Sequence, residues 1–265
     1  MRDQGLLPRG SVARRIDRET FVLLGSTAAL LMQVAHPLVA AGVDQHSDFR
    51  RHPLRRLRHT LDTSLAVVFG DTRAAFAALD RINGVHAGVR GVSVGGEPYS
   101  ARDPALLLWV QSTLTLTSLR LYEHVVGRLE AADREACWEE AKPIARRLGI
   151  PSSLLPATLT DLEAYERRML ESEVIPDETA RAVGRDVLRP LRWLPDVVYR
   201  PSDAIAAALL PPALRAPFGL RYGTAERVVF HAAIVSLRAL RPALPDAVTV
   251  VPQARRYETW ASRTQ

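Results

Sequence analysis

Apolar residues recur at intervals of three and four along most of the chain, the spacing of helices that bury one face. Four predicted helices are followed by a glycine, the residue that most readily ends a helix. They cover about 53–69, 72–89, 104–126 and 131–148. The same spacing predicts helices over 18–39, up to Met169, and near 177–188, 197–210 and 224–240.

Local signals refine these boundaries. Pro37 disfavours helical geometry at His36 and removes a backbone donor, so the first helix should kink or stop there. Residues 42–53 are polar and are predicted to form a loop. Asp103 followed by Pro104 is a typical helix start.

Two further signals are shorter. Thr160 with Glu163 predicts a capping box for the helix that reaches Met169. The paired glycines in VSVGGEPYS, residues 92–100, predict the chain's one β-turn or short hairpin.

The chain shows no internal repeat and no flexible linker, so the pattern predicts one all-α domain of about 8–10 helices. We expect an N-terminal extension over 1–19, the helical domain over 20–241, and a C-terminal segment over 242–265 that packs on the domain. The length of 265 residues suffices for a sizeable core.

The formal net charge of +6 comes almost entirely from arginine, with Lys142 as the only lysine. The arginines are dispersed among acidic residues and form no basic stripe with aromatic residues, which speaks against nucleic-acid binding. The longest apolar run, residues 21–35, falls short of the roughly 20 that a membrane span needs. The N-terminus lacks the apolar core of a secretory signal, so we expect a cytoplasmic protein. The sequence is also compatible with peripheral membrane contact.

Known catalytic motifs are missing from the sequence. There is no P-loop, no GxGxxG after a strand, no GxSxG, no HExxH, no EF-hand loop and no ExxH pair of the di-iron type. Cys137 is the only cysteine, which excludes an intramolecular disulfide and a two-cysteine metal site. We expect it to be an inert packing residue.

His86 stands out by its position on the predicted helix 72–89. It lies on the apolar stripe formed by Phe76, Leu79, Ile82 and Val89, and Arg90 follows one turn later. An inward imidazole with a nearby arginine suits heme, because the imidazole can ligate iron and the arginine can pair with a propionate. The same pattern also suits a hydrogen-bonded core histidine with an arginine at the helix end.

The preceding helix carries a polar face within an apolar frame. Arg56, Thr60 and Thr63 follow one another at helical spacing, and His59 precedes Thr60. Taken alone, the cluster RRLRH at 55–59 is more typical of a solvated surface.

Several segments together resemble one family. They read LLMQVAHPLVAAGVDQHSDF at 30–49, PLRRLRHTLDTSLAVVFG at 53–70, NGVHAGVRG at 83–91, YSARDPALLLWV at 99–110 and LGIPSSLLP at 148–156. In this order they resemble the domain shared by latex-clearing rubber oxygenases and the fungal oxygenase that cleaves a farnesyl side chain in mycophenolic acid biosynthesis. The resemblance covers about residues 20–220.

The resemblance implies a globin-like helical core around heme b. It implies that His86 is the proximal iron ligand, that Arg90 lies near the propionates, and that Arg56 and Thr60 lie on the distal side. In the rubber-oxygenase branch a lysine before this threonine can reach the iron; His59 stands there in this chain. Gln111 replaces a histidine that many relatives carry after LLLWV, so a histidine role at that position is not carried over.

These observations predict a heme b-dependent oxygenase that oxygenates or cleaves a hydrophobic small molecule, such as a terpenoid or polyketide. Its partners would be molecular oxygen, the substrate and, if the chemistry needs one, a redox partner. The absence of an export signal argues against polymeric rubber as the substrate. Two alternatives stay open: a b-type hemoprotein for heme carriage, sensing or electron transfer, and a heme-free helical protein that binds a hydrophobic ligand.

Overall fold

The computed structural model describes residue 3 and residues 5–262, and this part of the chain is a single all-α domain. Its α-helices are α1 Val12–Asp17, α2 Ser26–Ala35, α3 Pro37–His46, α4 Pro53–Phe69, α5 Thr72–Gly88, α6 Pro104–Val125, α7 Ala131–Leu148, α8 Leu159–Ser172, α9 Glu178–Leu188, α10 Arg200–Leu209, α11 Pro212–Arg215, α12 Thr224–Leu240, α13 Asp246–Thr249 and α14 Pro252–Ser262. Short 3₁₀ helices cover Thr20–Gly25, Asp196–Tyr199 and Arg241–Ala243. The helices outnumber the predicted 8–10 for two reasons: pieces of four to six residues are too short to produce a periodic pattern, and the first predicted helix is divided into α2 and α3.

The predicted hairpin is present. Strands β1, Arg90–Val92, and β2, Pro98–Ser100, pair antiparallel, with Gly91 opposite Tyr99. A Cβ atom on Gly91 would lie 2.8 Å from both Gln45 Oε1 and Tyr99 Oη, which are hydrogen-bonded to each other at 2.7 Å. Gly91 therefore allows the hairpin to pack closely on the end of α3.

Most predicted helix ends are confirmed, and one is wrong. Asp103 accepts a hydrogen bond from the Ala105 amide at 2.8 Å, and Gly149 ends α7 at a left-handed φ of 111°. The capping box of α8 uses Thr158 and Asp161, two residues before the predicted pair. The helix therefore begins at Leu159, which is buried in the core.

The first predicted helix is broken twice. A 3₁₀ helix precedes α2, and α2 ends where His36 adopts extended geometry before Pro37, as the sequence predicts. After the break α3 continues to His46, so the predicted loop over 42–53 is wrong for residues 42–46. Ala40, Ala41 and Gly42 are buried, which explains why this stretch is helical in spite of its polar neighbours.

Helix α6 is central, as its apolar length predicts. Trp109, Leu116, Leu119 and Leu121 are almost completely buried, and α2 and α7 pack against the helix. Helix α1 contributes Val12 and Ile16 to the same core. At the C-terminal end, Val250, Val251 and Ala254 pack with Leu65 and Phe69 of α4.

The predicted domain boundaries at 19 and 241 stay predictions. Residues 1, 2, 4 and 263–265, which belong to the predicted end segments, lie outside the described residues.

Helices α4 and α5 form an antiparallel hairpin that is anchored at one end. The C-terminal half of α4 and the N-terminal half of α5 are held by α1, α7 and α14. The N-terminal half of α4 is different: residues 54–60 are all exposed, including Leu54 at 59% and Leu57 at 42%. The open end of the hairpin therefore presents side chains that the rest of the described chain does not cover.

None of the described helices is by itself long and apolar enough to cross a membrane. The pair Thr20–Ala35 and Pro37–His46 meets the criterion on length and composition only, and it is bent by 106°.

Candidate functional site

Helix α5 places His86 on its inner side. Asp71 begins the helix by accepting a hydrogen bond from the Ala74 amide at 2.7 Å, and Ala75, Ala78 and Leu79 form its buried face. His86 follows Leu79 by seven residues, which is about two helical turns, so both lie on one face. The predicted stripe is partly wrong because Phe76 is 37% exposed and stacks under the Arg147 guanidinium.

The environment of His86 favours the neutral form of its imidazole. The side chain is half-buried, and its Nδ1 atom is buried with no hydrogen-bond partner among the described residues. Burial lowers the pKa of His86, and the positive charges of Arg102 and Arg56 lower it further. The hydrogen-bonded core histidine that the sequence left as an alternative is therefore not what the structure contains at this nitrogen.

Arg56 and Thr60 form a hydrogen-bonded pair on α4. Arg56 Nη1 donates to Thr60 Oγ1 at 2.5 Å, and Thr60 Oγ1 donates to the Arg56 carbonyl at 2.9 Å. Both side chains are exposed, but Arg56 is near enough to His86 to affect its pKa. The structure thus brings the predicted distal arginine and the predicted ligand into one region.

The structure does not join His59 to this region. Its imidazole is exposed and makes no hydrogen bond or ion pair within the described residues, and only its backbone carbonyl is engaged, by Thr63 at 2.8 Å. A role of His59 at the site stays a prediction.

Arg90 does not continue the face of α5 as the sequence pattern suggested. The helix ends at Gly88, and Arg90 is the first residue of β1, opposite Ser100. Its carbonyl lies 3.2 Å from His46 Nε2, and its side chain is exposed. The expected one-turn spacing from His86 is wrong because the backbone leaves the helix in between.

Sequence reasoning missed Arg102. The β1–β2 hairpin returns the chain to α5, so the Arg102 guanidinium reaches the Asn83 carbonyl at 3.5 Å, and its charge lowers the pKa of His86. The predicted hairpin was the available signal, because a tight turn brings the residues after its second strand back beside those before its first.

Helices α2 and α6 also expose apolar side chains. Leu30 is 38% exposed and Leu114 is 45% exposed, although both helices are otherwise largely buried. The two helices are joined by Gln33 Nε2, which donates to Thr113 Oγ1 at 3.2 Å. Gln111, at the position where a histidine role was in doubt, donates to Thr115 Oγ1 at 3.3 Å.

His36 has a structural role in the bend between α2 and α3. Its Nδ1 accepts the Leu38 amide at 3.3 Å, which caps α3, and its Nε2 lies 3.9 Å from Glu173. Burial lowers the pKa of His36, and Glu173 opposes this effect.

The described residues contain no group of three or more His, Cys, Asp and Glu side chains that could hold a metal ion. Cys137 is buried and free, and burial raises the pKa of its thiol.

The fold and these residues define a helical domain with a histidine whose pKa is lowered by burial and by two arginines, and whose Nδ1 has no hydrogen-bond partner in the part of the chain that the structure describes. Residues 13–239 match the family described as ER-bound oxygenase mpaB/B′/Rubber oxygenase, catalytic domain. The chain belongs to this family of oxygenase catalytic domains, as its motifs predicted. Uncharacterized proteins of Mycobacterium bovis and Mycobacterium tuberculosis are each 28% identical to it over 232 residues, which cover 84% of this chain and 90% of the relative.

Proposed function

We propose that this protein is a heme b-dependent oxygenase that oxygenates or oxidatively cleaves a hydrophobic small molecule, such as a terpenoid or polyketide. The observation that carries the proposal is His86, whose Nδ1 is buried with no hydrogen-bond partner among residues 3 and 5–262 and whose pKa is lowered. Iron binds the neutral form of imidazole, so a histidine kept neutral and unpaired suits a ligand better than a packing residue. Membership of an oxygenase family supports the reaction class.

The residues around His86 fit a heme. His86 would ligate the iron, and Arg90 and Arg102 would neutralise the two propionate carboxylates from the side of the β-hairpin. Heme b would supply the activation of molecular oxygen. We expect Arg90→Ala to weaken heme retention by about 1–2 kcal/mol, because a partly solvated arginine–carboxylate pair contributes only modestly.

The Arg56–Thr60 pair would supply hydrogen-bond donors to the reaction. A guanidinium and a hydroxyl are good donors and poor iron ligands, so they would stabilise negative charge that develops on the reacting groups. Their mutual hydrogen bonds hold both groups in place, which limits the reorganisation needed during the reaction. His59, on the same helix, would supply a second imidazole toward the cofactor.

The exposed apolar side chains of α2, α6 and α4 would accept the hydrophobic substrate. Leu30 and Leu114 expose apolar surface on central helices, and Leu57 does so on α4. Binding of a hydrophobic substrate would remove this apolar area from water, which is favourable.

A hemin titration of the purified protein tests the proposal. We expect a Soret band, a pyridine hemochromogen spectrum of heme b, and full extraction of the heme into acid–acetone, because the chain has no CxxCH for covalent attachment. The variant His86→Ala should lose most of the heme, whereas His124→Ala, which removes an exposed histidine of α6, should retain it.

Each alternative has its own outcome in this titration. A protein that stays colourless with ample hemin would be a heme-free binder of hydrophobic ligands. A stable six-coordinate spectrum with two histidine ligands and slow reaction with oxygen would indicate heme carriage, sensing or electron transfer. A reduced protein that reacts rapidly with oxygen supports the oxygenase, and oxygen consumption with a panel of isoprenoid and polyketide compounds then identifies the substrate class.

A further inference from the structure

The outer side of α4 carries arginines around an exposed leucine. Leu54, Arg55 and Arg58 share this side of the helix by their spacing, and Arg51 lies two residues before its start. Arg256 of α14 joins them, because Arg58 and Arg256 line the same groove between α4 and α14. We call these five residues the docking face.

The docking face is separate from the candidate heme site. At about 100° per residue, Leu54 and Arg58 point to the side of α4 opposite Arg56 and Thr60. The two surfaces can therefore act at the same time.

The charge of the docking face is only partly neutralised within the protein. Arg55 pairs with Asp48 at 2.6 Å, and Arg58, which is 87% exposed, reaches Asp62 only at 3.7 Å. Arg51 and Arg256 make no ion pair within the described residues. No acidic residue occurs between positions 49 and 61, so the unsatisfied charge there is positive.

We propose that the docking face binds the surface of an anionic phospholipid bilayer. The arginines would pair with lipid phosphates and carboxylates, and Leu54, which is 59% exposed, would enter the headgroup layer. An exposed apolar side chain flanked by cations is the combination that such a surface recognises, whereas a soluble anion would gain nothing from the leucine. The proposal goes beyond the proposed function, and it does not require heme.

The strength of this attraction follows from the number of arginines. Each arginine near an anionic surface contributes about a fivefold change in affinity. Reversing the charge of two of them removes two attractions and adds two repulsions, so the affinity should fall by about 25-fold or more. With one inserted leucine, binding should be reversible and sensitive to salt.

Cosedimentation of the full-length protein with vesicles tests the proposal. We expect binding to phosphatidylcholine vesicles that contain phosphatidylserine, no binding to phosphatidylcholine alone, and release at high salt. Arg51→Glu with Arg58→Glu should abolish binding. The matched control, Arg167→Glu with Arg168→Glu on the exposed side of α8, changes the net charge equally and should leave binding largely intact.

The leucine has its own pair of variants. Leu54→Ser should weaken binding, and Ile175→Ser, at a residue that is 65% exposed elsewhere, should not. Circular dichroism melts confirm that each variant is folded, and the Soret band of hemin-loaded samples keeps this test separate from the proposed function.

Three results would overturn the proposal. They are equal binding to phosphatidylcholine alone, equal loss of binding in the α8 control, and self-association of the wild type that the docking-face variants abolish without any vesicle binding. The last result would show that a second copy of the chain covers the docking face.

Discussion

Replacing His86 by leucine separates a heme ligand from a core histidine. Nδ1 of His86 is buried without a hydrogen-bond partner among the described residues, so the wild type bears the cost of its desolvation. Leucine fills a comparable volume without a polar atom. We therefore expect the variant to lose heme binding while the heme-free protein keeps or gains stability.

The size of the gain can be estimated. An unsatisfied buried polar group costs about 1–3 kcal/mol, and the side chain is only half-buried, so we expect the low end, about 1 kcal/mol. For a domain of this size, that is a rise in melting temperature of about 2–4 °C. A histidine that served packing or a core hydrogen bond would instead cost stability when removed.

The pH dependence of stability provides an independent test of the role of His86. The pKa of His86 is lowered in the folded protein below its ordinary value of 6.5, so the unfolded chain takes up a proton first as the pH falls. The wild type should therefore lose stability as the pH falls from 6.5 to the lower pKa of the folded state, whereas the leucine variant has no imidazole to protonate and should not. The stability difference between the two should thus be larger at about pH 5.5 than at about pH 8.

Thermal melts of the heme-free proteins at both pH values, together with hemin titrations, make the measurement. The reasoning would be refuted if His86→Leu bound heme with an unchanged spectrum, or if it destabilised the heme-free protein by about 2 kcal/mol or more. Either outcome would return His86 to the role of a core residue.

Three further predictions concern the neighbouring charges and Asp17, the last residue of α1. Arg56→Ala and Thr60→Ala should keep the Soret band but slow the reaction of the reduced heme with oxygen about a hundredfold, since a preorganised donor contributes about 3–4 kcal/mol; stopped-flow mixing checks this. Arg102→Ala should raise the pKa of His86 in the heme-free protein, measured by NMR titration, because a nearby positive charge is removed. Asp17→Asn should raise the free energy of unfolding at about pH 8 and change it little at about pH 4, because burial raises the pKa of Asp17 to about 7 and its ionised form is disfavoured above that value.

Each of these three predictions has a result that would contradict it. Wild-type oxygen kinetics in both α4 variants would remove the Arg56–Thr60 pair from the site. An unchanged pKa of His86 would show that the charge of Arg102 is screened. Equal stabilisation of Asp17→Asn at both pH values would mean that a neutral effect of the amide, and not the ionisation of the acid, is responsible.

Helices whose ends are marked by nearby capping or terminating residues could be predicted from the sequence alone. The ends of α5, α6 and α7 follow from an aspartate cap, from Asp103 with Pro104, and from Gly149, because such hydrogen bonds and dihedral angles involve residues within about four positions. The kink at His36 has the same kind of cause. The inward direction of His86 also follows from helical spacing, and the ordered motifs predicted the family.

Which side chains from distant parts of the chain come into contact is visible only in the tertiary structure. Arg102 reaches α5 across 19 positions of sequence, Gln33 reaches Thr113 across 80, and Arg256 shares a groove with Arg58 from the far end of the chain. Arg90 left the predicted face because the helix stopped at Gly88. A periodic pattern records which side of a helix is buried, but the partner of that side depends on how distant helices pack, and no local spacing contains that information.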